Sequence, residues 1–528
     1  MARADARTVA FMDIGTNSIR LLVVRIQPDD SSTVLTQLKQ MVRLGEGAFR
    51  HQYLQPDAID RAVCVARHFA QVARTHGAET IVTVATAATR EATNQHTFAQ
   101  QLQQEAGLDM CVVSGPEEAR LIYLGVVSGV HLGEQQAFFI DIGGGSTEVS
   151  IGTQHHQRYL GSLTLGALSL RSHCRTRKRG VVAPHAYEAL QHHVRHHAVH
   201  TLRELRTYRI DLALGSSGTI ETLADVAARH CLKRPRQRDD VLTYAQLRQV
   251  IAMLRALPLE SRRKVPGLHP ERADIIIAGA AILDAFMQEL ALQALHVSER
   301  GLREGLLVDY CSQHGASAFL QEMSVRARSV WQLGRSCQFN EAHARTTVRL
   351  ALALFDSARE AGLHRCGAWE RELLEHAALL HHIGAFLTYT DYQVHSSYLI
   401  NHANLLGFDQ TEIAIMAATA LYHRKGLPRK KGLEFTALDQ RAQEIVPILS
   451  ALLGLAEQLD RGQAGLIQDA RLGVVDTHHV ALQIDARHAC QVEVWGVQKH
   501  LVVFERVFGR PLIIRVRQRQ ALSIPACR

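Results

Sequence analysis

The chain has 528 residues, too many for a single hydrophobic core and enough for about three or four domains. Hydrophobic residues make up 47%, charged residues 21%, and there are only 12 prolines, an ordinary globular composition that excludes a disordered or low-complexity protein. The 59 Lys and Arg against 51 Asp and Glu leave a formal charge of +8, which suits a polyanionic partner and equally a solvated basic face.

From residue 8 to about 130, elements alternate in type. "TVAFMDIG", "IRLLVVRIQ" and "STVLTQLKQMVRL" read as strands, and "PDAIDRAVCVARHFAQVARTHG" as an amphipathic helix closed by Gly77. "ETIVTVATAATR" predicts a strand, "NQHTFAQQLQQEAG" a helix, "MCVVSG" a strand, and "PEEARLIYLGVVSGV" a helix with Pro116 at its first position. From about 136 the scheme restarts: "QAFFIDIGGG", "STEVSIG" and "QRYLGSLTLG" are strands, "PHAYEALQHHVRHHAVHTLRELR" is a helix, and "IDLALGSSG" is a strand running into the helix "TIETLADVAARH". Beyond about 312 the pattern is almost continuously helical, and from about 470 it alternates as strands around one helix. The expected division is 1–130 and 131–312 as two α/β halves, 313–469 as an all-helical domain, and 470–528 as a small α/β domain.

Both α/β halves open on one motif, "DIGTNSIRLLV" at Asp13 and "DIGGGSTEVSI" at Asp141, spaced as one domain from the next. A hairpin turn rich in Gly, Ser and Thr exposes backbone N–H groups, and a concave set of them binds phosphate oxygens. Gly143, Gly144 and Gly145 allow that approach, Ser146 and Thr147 add hydroxyl donors, and the Asp ending each preceding strand suits a divalent metal beside the phosphate. One such motif is most often an ordinary tight turn. Two in register, at the starts of two halves, suggest loops gripping one phosphate chain from both sides.

This arrangement resembles the acetate kinase, sugar kinase, Hsp70 and actin superfamily, whose two ribonuclease H-like halves flank a cleft. More narrowly, it resembles the exopolyphosphatase and guanosine pentaphosphate phosphatase (Ppx/GppA) family. The matching blocks are "DIGTNSIRLLV", "TVATAATREATN", "VVSGPEEARLIYLGV", "FIDIGGGSTEVSIG", "LGSSGT", "AGAAIL" and "SERGLREGLL", in order over the first 310 residues. The resemblance implies a general base at the second Glu of "SGPEEARL", which is Glu118; the bland reading of Glu117 and Glu118 is a pair of carboxylates favouring the helix dipole. It implies Arg90 as a clamp on phosphate, Asp141 and Glu148 as an acidic pair for Mg²⁺, and Asn17, Ser18, Gly143, Gly144, Gly145 and Ser146 as phosphate-binding loop residues. Gly215 and Ser216 begin a third small-residue turn, placed where the wider superfamily binds nucleotide.

The leading expectation is an exopolyphosphatase releasing orthophosphate from the end of polyphosphate. The alternative within the family is removal of the 5′ γ-phosphate of guanosine pentaphosphate (pppGpp); the sequence separates neither these, nor processivity, nor a K⁺ requirement. A third reading, a nucleotide- or polyphosphate-binding regulator without turnover, has no use for Glu118. Family likeness adds a homodimer.

In the helical part, "EHAALLHHIG" and "YHRK" resemble an HD-type domain, with His382 standing where the metal-binding Asp is expected. His381, His382, His395 and His423 have the chemistry for a zinc- or nickel-like ion, but packed or solvated histidines are the simpler reading, and no catalysis is expected there. Basic clusters at 171–180, 233–238 and 423–432 read either as solvated loops or as a track for a long polyanion. Few aromatics and no nucleic-acid signature argue against a nucleic-acid partner. Nine scattered cysteines with no C-x-x-C pair fit a reducing cytoplasm rather than a disulfide framework or zinc knuckle. No apolar run of about 18 residues appears, so a membrane span is not expected, and peripheral membrane association stays open.

Overall fold

In β1 (Arg7–Ile14) seven of eight residues are buried, and in β6 (Ala137–Ile142) all six are, so these strands are covered on both faces, as the unbroken apolar runs in their sequences require. Each is the centre of a mixed sheet. The computed structural model describes residues 6–27, 32–174, 180–238, 240–314, 324–403, 405–426, 433–436, 438–476 and 478–518. The chain divides into two units, Met1–Val325 and Arg326–Arg528.

The first unit holds two sheets. β1, β2 (Ser18–Ile26), β3 (Ser32–Met41), β4 (Thr80–Ala85) and β5 (Met110–Val112) lie in the order β3-β2-β1-β4-β5. β6, β7 (Thr147–Gly152), β8 (Gln157–Leu163), β9 (Leu212–Ser216), β10 (Val241–Thr243) and β11 (Ala294–Val297) lie in the order β10-β11-β9-β6-β7-β8. In each sheet three antiparallel strands lead the chain in and two parallel neighbours follow on the other side, with helices between them. The topology is thus repeated, giving two actin-like halves with a cleft between them.

The helices Gly115–Val127 and Leu302–His314 pack backbone against backbone. A Cβ on Gly305 would stand 1.8 Å from the Leu121 carbonyl oxygen, and one on Gly125 would stand 2.0 Å from that of Gly301. The glycines of "SERGLREGLL" are therefore a packing requirement, and they set Gly301 beside the cleft. Leu306 and Leu307 share a core with Val9 and Phe11 of β1, so the helix Leu302–His314 packs on the first sheet.

The second unit begins with helices Val325–Ser336, Glu341–Glu360, Ala368–Leu380, Tyr392–His402, Gln410–Lys425 and Gln440–Leu459 around one apolar core. A three-stranded sheet follows: β12 (Ile467–Val474), β13 (Val480–Ala486) and β14 (Leu512–Gln518), β13 and β14 running parallel. The crossover between those two parallel strands carries two short helices, Gln491–Gln498 and Leu501–Phe508, where the sequence suggested one; the Lys499–His500 step breaks the run. Among the described residues no helix is long and apolar enough to cross a membrane.

Candidate active site

The two D-I-G motifs fold into matching hairpins. Gly15 N–H donates to the Ser18 carbonyl at 3.1 Å, and Gly143 N–H donates to the Ser146 carbonyl at 3.0 Å, the same turn bond in each copy. The loops meet: a Cβ on Gly144 would lie 2.9 Å from Thr16 Cβ, and one on Gly145 would lie 2.8 Å from Thr16 Oγ1. Gly144 and Gly145 are thus needed because the facing loop occupies the space a side chain would fill, whereas a Cβ on Gly143 would meet its own hairpin, 3.2 Å from the Ser146 carbonyl oxygen.

Between the hairpins lies a cleft lined by Asn17, Ser18, Gly143, Gly144, Gly145 and Ser146, with Glu118 and Asp141 also in its wall. Neither Oδ1 nor Nδ2 of the buried Asn17 amide has a hydrogen-bond partner. An orphaned amide costs about 1–3 kcal/mol unless something supplies its bonds, so this one marks a place for a polar ligand.

Glu118 stands in the first turn of the helix Gly115–Val127, whose cap is Ser114, its side chain accepting the Glu117 N–H. Glu117 turns outward, half-exposed and paired with Arg120 at 2.7 Å, whereas Glu118 is 6% exposed. Burial pushes the Glu118 carboxyl up to about 7, with Asp13 and Asp141 adding to the rise and Arg90 opposing it. Arg90 sits on a short helical turn, Ala87–Arg90, after β4. Its Nη1 donates to Glu118 Oε2 and to the Val113 carbonyl, both at 2.9 Å. Arg90 is not part of the cleft lining itself; it grips Glu118 from behind.

Across the β6–β7 ladder Asp141 is directly opposite Glu148, and across β1–β2 Asp13 is opposite Arg20. The repeat therefore diverges at one position, carboxylate in one half and guanidinium in the other. Burial raises Asp141 to about 6, and Ser216 Oγ, donating to Asp141 Oδ2 at 2.5 Å, opposes that rise. Burial, then Glu118 and Asp141, lift Glu148 well above the usual carboxylate range, while Ser146 and Ser162 donate to it. Asp13 is also raised, chiefly by burial. Four buried carboxylates thus repel one another, Arg90 being the one cation bonded to any of them among the described residues. Glu148 lies beneath the cleft, not in its lining.

At the third turn Gly215 and Ser216 lie outside the cleft lining. Gly215 packs beneath Leu295 and Ile220, and Ser216 holds Asp141. The residues that face the cleft come just after them, Ser217, Gly218 and Thr219, at the start of the helix Ser217–Ala227. Ser217 is left-handed at φ 80°, a strained state for a residue with a side chain, and its Oγ fastens to the Ile142 carbonyl at 2.7 Å.

The cleft also contains two arginines that motif reading passed over. Arg20 and Arg272 line it without an ion pair among the described residues, and burial, then Arg20, lower Arg272 to about 10. Aligning "DIGTNSIR" on "DIGGGSTE" places Arg20 at the Glu148 position, a signal present in the sequence; Arg272 follows no motif. Of the basic clusters, residues 175–179 and 427–432 lie outside the described residues. In the cluster at 233–238, Arg234 pairs with Asp240, and Arg236 with Asp225 and Glu299.

Comparison with known proteins points the same way. Residues 22–314 match the model of the Ppx/GppA phosphatase family, and residues 325–494 match Ppx/GppA phosphatase, domain III. A guanosine-5′-triphosphate,3′-diphosphate pyrophosphatase of Vibrio vulnificus (strain YJ016) is 30% identical over 426 residues, 79% of this chain and 81% of that protein. A solved Ppx/GppA family member from Aquifex aeolicus is 27% identical with a TM-score of 0.50, covering 59% of this chain and all of its own (100%). A solved exopolyphosphatase from Cytophaga hutchinsonii is similar in fold, with a TM-score of 0.54 at 24% identity over 60% of this chain and 99% of its own.

Proposed function

This chain belongs to the Ppx/GppA phosphatase family, and from that membership we propose that it hydrolyses the terminal phosphoric anhydride bond of a phosphate chain, inorganic polyphosphate first, with Glu118 as the general base. The observation that carries this reading is the geometry of Glu118: a buried carboxylate, fixed by Arg90 at 2.9 Å, facing two glycine-rich loops and held near a pKa of 7. A base matched to neutral pH accepts a proton from water most effectively there.

The terminal phosphoryl group sits between the loops, against the backbone N–H groups of Gly144 and Gly145, Ser146, and the Asn17 amide, the Gly143 N–H being held in the turn. Glu118 takes a proton from a water whose oxygen attacks phosphorus in line with the bridging oxygen. The new P–O bond forms as the bridging one breaks, and orthophosphate leaves with a chain shorter by one phosphate. Positioning and electrostatics supply most of the acceleration in such a transfer. Arg20, Arg272 and the first turn of the helix Ser217–Ala227 face the phosphates that stay behind.

The excess of buried carboxylate oxygen fits Mg²⁺, a hard cation with oxygen ligands. Asp141, supported by Glu148 beneath it and Asp13 on the facing loop, would hold it. Among the described residues no group of three His, Cys, Asp or Glu side chains is placed to hold a metal alone, so phosphate and water oxygens would have to supply the remaining ligands. When bound, the ion neutralises charge on the phosphate oxygens.

Hydrolysis of pppGpp is the second reading, favoured by the Vibrio relative and served by the same residues. Phosphate release measured in parallel on long polyphosphate, short polyphosphate and pppGpp decides between them. Release from none of the three, with Mg²⁺ present and the protein folded, refutes turnover and leaves the regulator reading.

A further inference from the structure

Arg43, which the mechanism does not use, ties the two halves of the first unit together across the cleft. It stands just beyond β3, and its guanidinium reaches into the second half. Nη1 donates to Asp274 Oδ2 at 3.0 Å, and Nη2 donates to Asp274 Oδ1 at 2.9 Å and to the Glu271 carbonyl at 2.7 Å. Two parallel donors on one carboxylate fix direction as well as distance. The Asp274 side chain is 10% exposed and that of Arg43 25%, so water screens this pair less than an ordinary surface one. Arg171, from the second half itself, lies 3.0 Å from Asp274 Oδ2 and steadies the carboxylate.

The backbone beneath Arg43 is pinned to the first phosphate loop. Arg43 is left-handed at φ 49°, an unfavourable state for a residue with a side chain. The N–H groups of Val42 and Arg43 both donate to the Asn17 carbonyl, at 3.1 and 3.0 Å, and that of Gly45 donates to the Thr16 carbonyl at 2.9 Å. Further on, the Phe49 ring lies against the other loop, since a Cβ on Gly145 would stand 2.4 Å from its Cζ. Residues 43–49 thus form a strap, bonded to one phosphate loop, packed on the other and fastened at Asp274.

The fastening holds the turn that carries Arg272. Both acceptors, the Glu271 carbonyl and the Asp274 carboxylate, flank that residue at the end of the helical turn Pro270–Arg272. The Arg272 guanidinium packs over Gly218, where a Cβ would stand 2.3 Å from its Nη2. Arg20 lines the same cleft with a charge of the same sign, so a fixed turn is needed to keep both guanidiniums facing one phosphate chain. Resting on the phosphate-chain reading of the cleft, we propose that Arg43 is a positioning residue: its fork on Asp274 latches the two halves closed and aims Arg272 at the phosphates behind the bond that breaks.

The test compares the full chain with Arg43→Met, Arg43→Lys, Arg272→Ala and the double variant Arg43→Met with Arg272→Ala. On short polyphosphate, Arg43→Met should raise KM several-fold with a smaller effect on kcat. Arg43→Lys should recover part of that loss, since it keeps the charge without the fork. In the Arg272→Ala background Arg43→Met should add little, because both changes act through one side chain. Hydrogen exchange without substrate is the second readout. The amides of Arg272, Ala273 and Ile275, each bonded within the turn, should exchange several-fold faster in Arg43→Met. Unchanged exchange at those amides in the folded variant, or a full-sized KM rise in the Arg272→Ala background, overturns the proposal. A wild type that releases no phosphate from any substrate refutes the phosphate-chain reading instead, and the exchange rates then decide the latch alone. Should Arg43→Met fail to fold, Asp274→Asn, which keeps the volume and loses the charge, is held to the same two outcomes.

Discussion

Replacing Glu118 with Gln removes one ionisable oxygen and leaves the volume, the first-turn position and an acceptor for Arg90. The loss of a general base costs about 10²–10⁴ in rate, so kcat should fall by that factor while KM changes little, because the phosphate-binding loops are untouched. The pH profile should change in kind. With Glu118 held near 7 by burial, wild-type activity climbs as pH rises through about 7, and the variant's residual rate should be flat across that range. Stability supplies an independent readout. A carboxyl raised from 4.5 to about 7 contributes stability below about 4.5 that is lost as pH rises through 7, at most about 3 kcal/mol. The variant escapes that loss, although Arg90 gives up an ionised partner, so at pH 8 it should melt above wild type, and at pH 4.5 close to it. The assay is phosphate release from short polyphosphate and pppGpp between pH 5.5 and 8.5, alongside thermal melts. A Gln variant retaining over half the wild-type rate, or a wild-type profile without a rise near 7, refutes the reasoning. Glu117→Gln, whose carboxylate is turned to solvent with Arg120, is the control and should stay within about threefold.

Arg90→Met should raise the Glu118 pKa further, since Arg90 opposes its rise, and so move the acid limb of the rate profile to higher pH; an unmoved limb means that Arg90 does not set the base. Asp141→Asn should raise the Mg²⁺ concentration needed for half-maximal rate and lower activity by about 10²-fold or more, and chelation should abolish wild-type activity; unchanged metal dependence would show that Asp141 is not a ligand. Arg272→Ala should raise KM at least several-fold with a smaller effect on kcat, and an unchanged KM removes it from the substrate path. Gly305→Ala should lower Tm, because its Cβ would sit 1.8 Å from a carbonyl oxygen of the neighbouring helix, an overpacking cost of about 1–3 kcal/mol; a Tm equal to wild type would mean that the helix pair yields freely.

The sequence by itself was enough for what local chemistry encodes. Two apolar strands each ending in Asp, a small-residue turn, and a second apolar strand could hardly fold otherwise than as hairpins, and their repetition carried the two-half architecture and the cleft. Pro116 and the following carboxylates marked a helix start, and so the place of Glu118, while the Ser114 cap, read as the end of a strand, came only with the fold. What depends on distant contacts was not legible. Arg90 reads in sequence as a phosphate clamp, yet in the fold it reaches Glu118, 28 residues on, because β4 and β5 are parallel neighbours that carry Arg90 beside the strand end leading to that helix. Gly215 and Ser216 sit in a motif-like turn, but β9 buries them under Leu295 and against Asp141, and the following three residues face the cleft instead. Arg272 has no local signature. The raised pKa values of Glu118, Asp141 and Glu148 exist only because packing removes water and brings like charges together, and side-chain charge in a sequence says nothing about either. The histidines of the helical unit show the same division: the Nδ1 bonds of His381 and His423 are local, each to the carbonyl three residues back, whereas the burial and the approach of the rings to one another arise only when the helices meet.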